Sequence, residues 1–193
     1  MSVPVDSKTG LAAVAEAASQ TSEASGRERG LPPVHLWNPS HCGDIDIVIR
    51  RDGTWLHESS PIGRPELVRL FSTVLRKDPD GYCLVTPVEK LSIQVEDLPF
   101  RAVALTEADG ALRFTTDVGD GVEAGPDHPI RVDTDPVSGE PSPALHVRAD
   151  LWARIARPIF YELVERAEVE DGRLVVRSRG EAFALGPLGA GVA

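Results

Sequence analysis

One order of elements occurs twice along this chain, and it limits the possible folds more than any other feature. A strand hairpin leads into an amphipathic helix that opens beside an arginine, and a second hairpin follows. The first pass covers about 45–96 and the second about 129–185 of the 193 residues. A half of that size buries little apolar surface alone. The halves are therefore expected to pack together, leaving a groove between them as the place to look for function.

The first pass is the clearer one. Ile45, Ile47 and Ile49 alternate with Asp46, Val48 and Arg50, the period of a strand with one buried face. Asp52-Gly53 is a hairpin signal, and Trp55 to His57 forms the return strand. Pro65 suits the first turn of a helix and Glu66 complements its positive end. Leu67, Leu70, Phe71, Val74 and Leu75 follow the helical period, and Lys77-Asp78-Pro79 ends it. Tyr82–Thr86 and Leu91–Val95 are strands, and Ala102–Leu105 pairs with Leu112–Thr116 across Asp109-Gly110. In the second pass, Pro129–Asp133 and Ala144–Val147 are strand candidates. A long helix is expected from about Ala149 to Ala167, kinked at Pro158, with strands after Asp171-Gly172 and Arg179-Gly180. Aligning the helices sets Arg64-Pro-Glu-Leu67 over Arg148-Ala-Asp-Leu151.

These patterns predict an α+β protein of two similar subdomains, 31–100 and 101–188, each a small antiparallel sheet with one main helix. Residues 1–30 read as a flexible tail holding a short Ala-rich helix at Leu11–Ala18, and 189–193 as a flexible end. Leu31–Pro39, with three prolines, is expected to run extended against the body.

A net charge of −10 argues against a nucleic-acid binder, since phosphate neutralisation needs a basic face. The excess is local: residues 106–140 hold nine acids against two bases and read as a solvated acidic surface without a calcium-loop spacing. No apolar run approaches the roughly 18 residues of a membrane span. No secretory leader is evident, and the two cysteines, Cys42 and Cys83, form no C-x-x-C. The expected compartment is the cytoplasm, with reduced, inert thiols.

Tyr82-Cys-Leu-Val-Thr-Pro-Val-Glu-Lys90 and Val95-Glu-Asp-Leu-Pro-Phe100 resemble the bacterial domain-of-unknown-function 1285 family. So do Cys42-Gly-Asp-Ile45, Asp52-Gly-Thr-Trp55, Pro61-Ile-Gly-Arg64 with Leu70-Phe71, Val147-Arg148, and the run from Ser178 to Gly186. The resemblance implies a duplicated α+β core whose second half is pleckstrin-homology-like. It also implies a nucleotide-like or other small ligand bound between the halves, in signal transduction; no catalytic residues are established for that family.

Two sets of side chains are candidates for that ligand. Thr86, Glu89 and Lys90, with Asp97, sit where Pro87 breaks a strand; Lys90 suits a phosphate or carboxylate. The structural reading of the same turn is a hairpin with a Glu–Lys surface pair, worth less than about 1 kcal/mol. Arg64 and Arg148 open the two helices, and Arg154 and Arg157 share a helical face that Tyr161 continues. Arginine forks suit bidentate anion contact, although 17 arginines against three lysines also reads as a compositional bias with solvated or internally paired side chains. His35, His41, Cys42, Asp44 and Asp46 include metal-ligating types at no known zinc spacing, so no metal is expected. No nucleophile–base pair and no dinucleotide or phosphate loop stands out, and no cofactor is implied. The expected function is a non-catalytic sensor of a small anionic, nucleotide-like ligand, without nucleic-acid or membrane partners. The alternatives are a protein-interaction module and an enzyme of unknown class.

Overall fold

The computed structural model describes residues 31–187 and, before them, Ala12, Ala15, Glu16, Ala18 and Ser19. Those five positions are helical, in line with the short helix expected there, and Ala18 is fully buried. The rest of the expected tail, and the end 189–193, lie outside the described residues. The chain forms two compact units, Met1–Asp97 and Leu98–Ala193.

The first unit carries β1 (His41–Ile49), β2 (Trp55–His57), β3 (Ser60–Pro61), α1 (Pro65–Thr73), β4 (Leu75–Asp78), β5 (Gly81–Val85) and β6 (Glu89–Val95). Its sheet order is β3-β2-β1-β6-β5-β4. Two three-stranded meanders are thus joined through their first and last strands. Ile47 and Ile49 of β1 are buried while Asp46 is exposed, the alternation the sequence carries. The Asp52-Gly53 turn forms as expected: Gly53 takes φ 87°, and the Thr54 amide donates to Asp52 Oδ1 at 2.9 Å.

The expectation of purely antiparallel sheets is not met, because β1 and β6 run parallel. Parallel neighbours need a long crossover, and the connection through the second meander's start, including α1, supplies it. The helix is also shorter than its apolar period indicates. It ends at Thr73, and Leu75–Asp78 becomes an edge strand paired with β5, Leu75 opposite Leu84. Thr73 and Val74 are β-branched and weak helix formers, and the strand pairing leaves Leu75 buried.

The second unit carries β7 (Phe100–Ala108), β8 (Ala111–Thr116), β9 (Gly121–Glu123), β10 (Ile130–Thr134), β11 (Pro141–Arg148), β12 (Leu151–Ile155), α2 (Arg157–Arg166), β13 (Glu168–Glu170), β14 (Arg173–Ser178) and β15 (Glu181–Pro187). Its larger sheet has the order β10-β11-β12-β7-β8-β9, with β12 and β7 parallel. The plan of two meanders joined at first and last strands therefore repeats. The helix does not repeat with it: α1 stands between the meanders, whereas α2 follows the whole sheet and leads into the separate β13-β14-β15 sheet. The duplication lies in the sheets, and the alignment of Arg64 with Arg148 is superseded. Arg148 ends a strand.

The long helix expected over Ala149–Ala167 is a strand followed by a helix of ten residues. Leu151, Ala153 and Ile155 are buried while Trp152 and Arg154 are half-buried, so a period of two lay within residues that also fit a helix. Ala156 is extended (φ −62°, ψ 145°) and Pro158 sits in the first turn of α2, where it starts the helix and kinks nothing. Arg154 and Arg157 consequently share no helical face. Phe100, Leu112, Phe114, Leu145, Leu151 and Leu163 form the core of this unit. Ser178 ties its two sheets: the buried Oγ accepts the Leu112 amide at 3.0 Å and donates to the Ala124 carbonyl at 2.7 Å.

Candidate functional site

A cleft of about 680 Å³ opens on the first unit. Helix α1 contributes Glu66, Leu67 and Leu70, and the end of β2 contributes His57 and Glu58. Arg64, at the N-cap of α1, and four of the helical N-terminal residues, Ala12, Ala15, Glu16 and Ser19, complete the lining. The β2–β3 connection is a two-residue turn, His57 pairing with Ser60, and both of its residues have positive φ: Glu58 at 49° and Ser59 at 62°. That geometry favours glycine or asparagine, so a glutamate and a serine hold it at a conformational cost. His57 Nε2 is buried with no hydrogen-bond partner among the described residues.

Arg64 is exposed. Its backbone carbonyl accepts the Leu67 amide at 3.0 Å and the Val68 amide at 3.2 Å, which fixes the start of α1. Its guanidinium makes no hydrogen bond or ion pair to any described residue, and its fork of donors is open to an anion.

The other candidates of the first unit are engaged elsewhere. Thr86 is fully buried, and its Oγ1 accepts the Glu89 amide at 3.2 Å and the Val88 amide at 3.4 Å. The Thr86–Glu89 turn is thereby closed on itself. Lys90 Nζ lies 2.8 Å from Asp78 and 3.4 Å from Asp80. Asp78 also takes a bidentate contact from Arg76, at 2.7 and 2.9 Å, and Arg76 reaches on to the carbonyls of Val34 (2.9 Å) and Trp37 (2.7 Å). This network straps the Pro-rich segment to β4. The Arg76 hydrogen bonds, then Lys90, pull the Asp78 carboxyl down to about 2. Cys83 beside it is pushed up to about 11, by burial first and then by the Asp78 charge, so it stays a thiol. Asp97 follows β6 and is half-buried.

In the second unit, Arg148 pairs with Asp120 and lies over the Phe100 ring at 4.8 Å. Arg154 on β12 donates to the Pro143 carbonyl at 3.2 Å, and Arg157 on α2 contacts Glu140 at 2.5 Å. The structure brings Thr86, Glu89 and Lys90 together at one turn and sets Arg148, Arg154 and Arg157 on three separate elements.

Sequence reasoning missed His57 and Glu58. No turn signature marks Glu58-Ser59, and His57 reads only as a strand residue. Among the described residues no group of three His, Cys, Asp or Glu side chains is placed to hold a metal. No described helix is long and apolar enough to cross a membrane. The cleft offers a fork of donors, an apolar stretch and carboxylates, which together suit binding; Ser19 Oγ, the one hydroxyl among its described lining residues, is bonded to the Ala15 carbonyl at 2.7 Å.

Comparison with known proteins adds to this geometry. Residues 32–98 match the N-terminal domain of a domain of unknown function, DUF1285, and residues 99–185 match the C-terminal domain of the DUF1285 proteins of unknown function. A crystal structure of a DUF1285 family protein from Silicibacter pomeroyi DSS-3 is 48% identical, with a TM-score of 0.78 over 86% of this chain and 93% of that one. A DUF1285 family protein from Shewanella baltica OS155 is 26% identical, with a TM-score of 0.50 over 62% of this chain and 90% of that one. No curated protein matches.

Proposed function

The chain belongs to the DUF1285 family, and from that membership and the cleft on its first unit we propose a non-catalytic cytoplasmic sensor that binds a small ligand through an anionic group. Its place is in signal transduction, and nucleotides are the first class to test. The second unit we read as pleckstrin-homology-like, on the family resemblance and on the helix that follows its six-stranded sheet. One observation carries the binding reading: Lys90, Arg148 and Arg157 already face carboxylates, whereas Arg64 lines a cleft and meets no acid among the described residues.

Thermal denaturation against a panel of nucleotides, amino acids and other small carboxylic acids tests it. A ligand that binds only the native state adds RT ln(1 + [L]/Kd), about 2.7 kcal/mol at a hundred times Kd. The expected result is a rise in Tm for the wild type that Arg64→Gln abolishes. A flat panel, or a shift that survives the substitution, removes Arg64 as the anchor. A second reading, a protein-interaction module, is favoured by Leu31 and Leu36, which are 47% and 70% exposed in the Pro-rich segment.

A further inference from the structure

The charges around Arg64 say more about the ligand than its anionic group. Among the described residues, the cleft also carries the carboxylates of Glu58 and Glu66, two against the one guanidinium. Glu58 and Glu66 make no ion pair or side-chain hydrogen bond to any described residue, and both are exposed. A ligand bearing only negative charge gains Arg64 and is repelled by these carboxylates. A ligand bearing only positive charge meets the reverse. Ala12 and Ala15 with Leu67 and Leu70 supply an aliphatic stretch. The volume, about 680 Å³, lies inside the usual range of small-molecule sites, roughly 300–1,000 Å³.

We infer that the ligand of this cleft is a zwitterion of the amino-acid type with an aliphatic side chain, its carboxylate in the Arg64 fork and its ammonium against Glu58 and Glu66. The inference rests on the reading of the cleft as the ligand site and narrows it. Glu58 suits the second role because its backbone is held in the left-handed region (φ 49°) by the two-residue turn. Its amide is tied to the Asp46 carbonyl at 3.1 Å, so the turn presents the residue from a fixed frame.

The test is calorimetric titration of the full chain with L-leucine and its two single-charge analogues, 4-methylpentanoate and 3-methylbutylamine, with AMP as an unrelated anion. Leucine is expected to bind at least tenfold more tightly than either analogue or AMP. Arg64→Gln and Glu58→Gln, both at exposed positions, are each expected to weaken leucine by at least tenfold, with circular dichroism confirming that the variants are folded. If 4-methylpentanoate or AMP binds as well as leucine and loses affinity in Arg64→Gln, the zwitterion is wrong while the anion site stands. If none of the four binds at 10 mM (about 10² times a tight 0.1 mM Kd, each decade being about 1.4 kcal/mol), the inference fails. Leucine binding that is unchanged in both Arg64→Gln and Glu58→Gln lies elsewhere and removes the site itself.

Discussion

Replacing Asp78 with asparagine tests the electrostatic strap of the first unit most directly. The carboxylate accepts two bonds from Arg76 and one from Lys90, and all three side chains are less than a fifth exposed, so solvent screens the network weakly. Its value falls from 3.8 to about 2 on folding. At about 1.4 kcal/mol per unit, the ionised form contributes about 2 kcal/mol of stability. Because the folded value is the lower one, that contribution is complete above the ordinary carboxylate value and is lost as pH falls from about 4 towards 2. Asp78→Asn should therefore cost about 2 kcal/mol at pH 7 and close to nothing near pH 2. Urea unfolding checks this, with Trp152→Phe as background so that Trp37 and Trp55 report on the first unit alone. The denaturant slope should be unchanged. Two results would refute the reasoning: a pH 7 difference below about 0.5 kcal/mol, or a gap that stays constant from pH 7 to pH 2, which would mark a packing defect and not a lost charge.

Ser178→Ala leaves the buried Leu112 amide and Ala124 carbonyl without their partner and should cost about 1–3 kcal/mol, read by urea unfolding, with faster hydrogen exchange at Leu112. Glu58→Gly relieves a left-handed residue against glycine's greater unfolded-state freedom and should raise stability by about 0.5–1 kcal/mol while weakening leucine binding. A loss of stability in that variant would show that the turn is not under strain.

Several local features were legible because their causes are local. The Asp109-Gly110 and Asp171-Gly172 turns have positive φ at both residues, as that dipeptide dictates. The alternation of Ile47 and Ile49 with Asp46 placed β1, and Pro65 with Glu66 placed the start of α1. Glu58-Ser59 adopts the same two-residue turn with none of its signature, so the cleft's rim could not be foreseen. Arg64 could be singled out from its place before a helix, but not that it meets no acid among the described residues. Lys90 looked open until folding brought Asp78, twelve residues away, to 2.8 Å.

What this chain's sequence determined by itself was several of the strands, the Asp-Gly turns, the start of α1 and the presence of two halves, since periodicity, Asp-Gly pairs and prolines act over a few residues. Only the tertiary structure decided that Leu151–Ile155 is a strand, that α1 stops at Thr73, and that first and last strands run parallel in both sheets. The apolar spacing at Leu151–Ile155 and Leu75 fits helix and strand alike, and the choice falls to hydrogen-bond partners supplied by other strands.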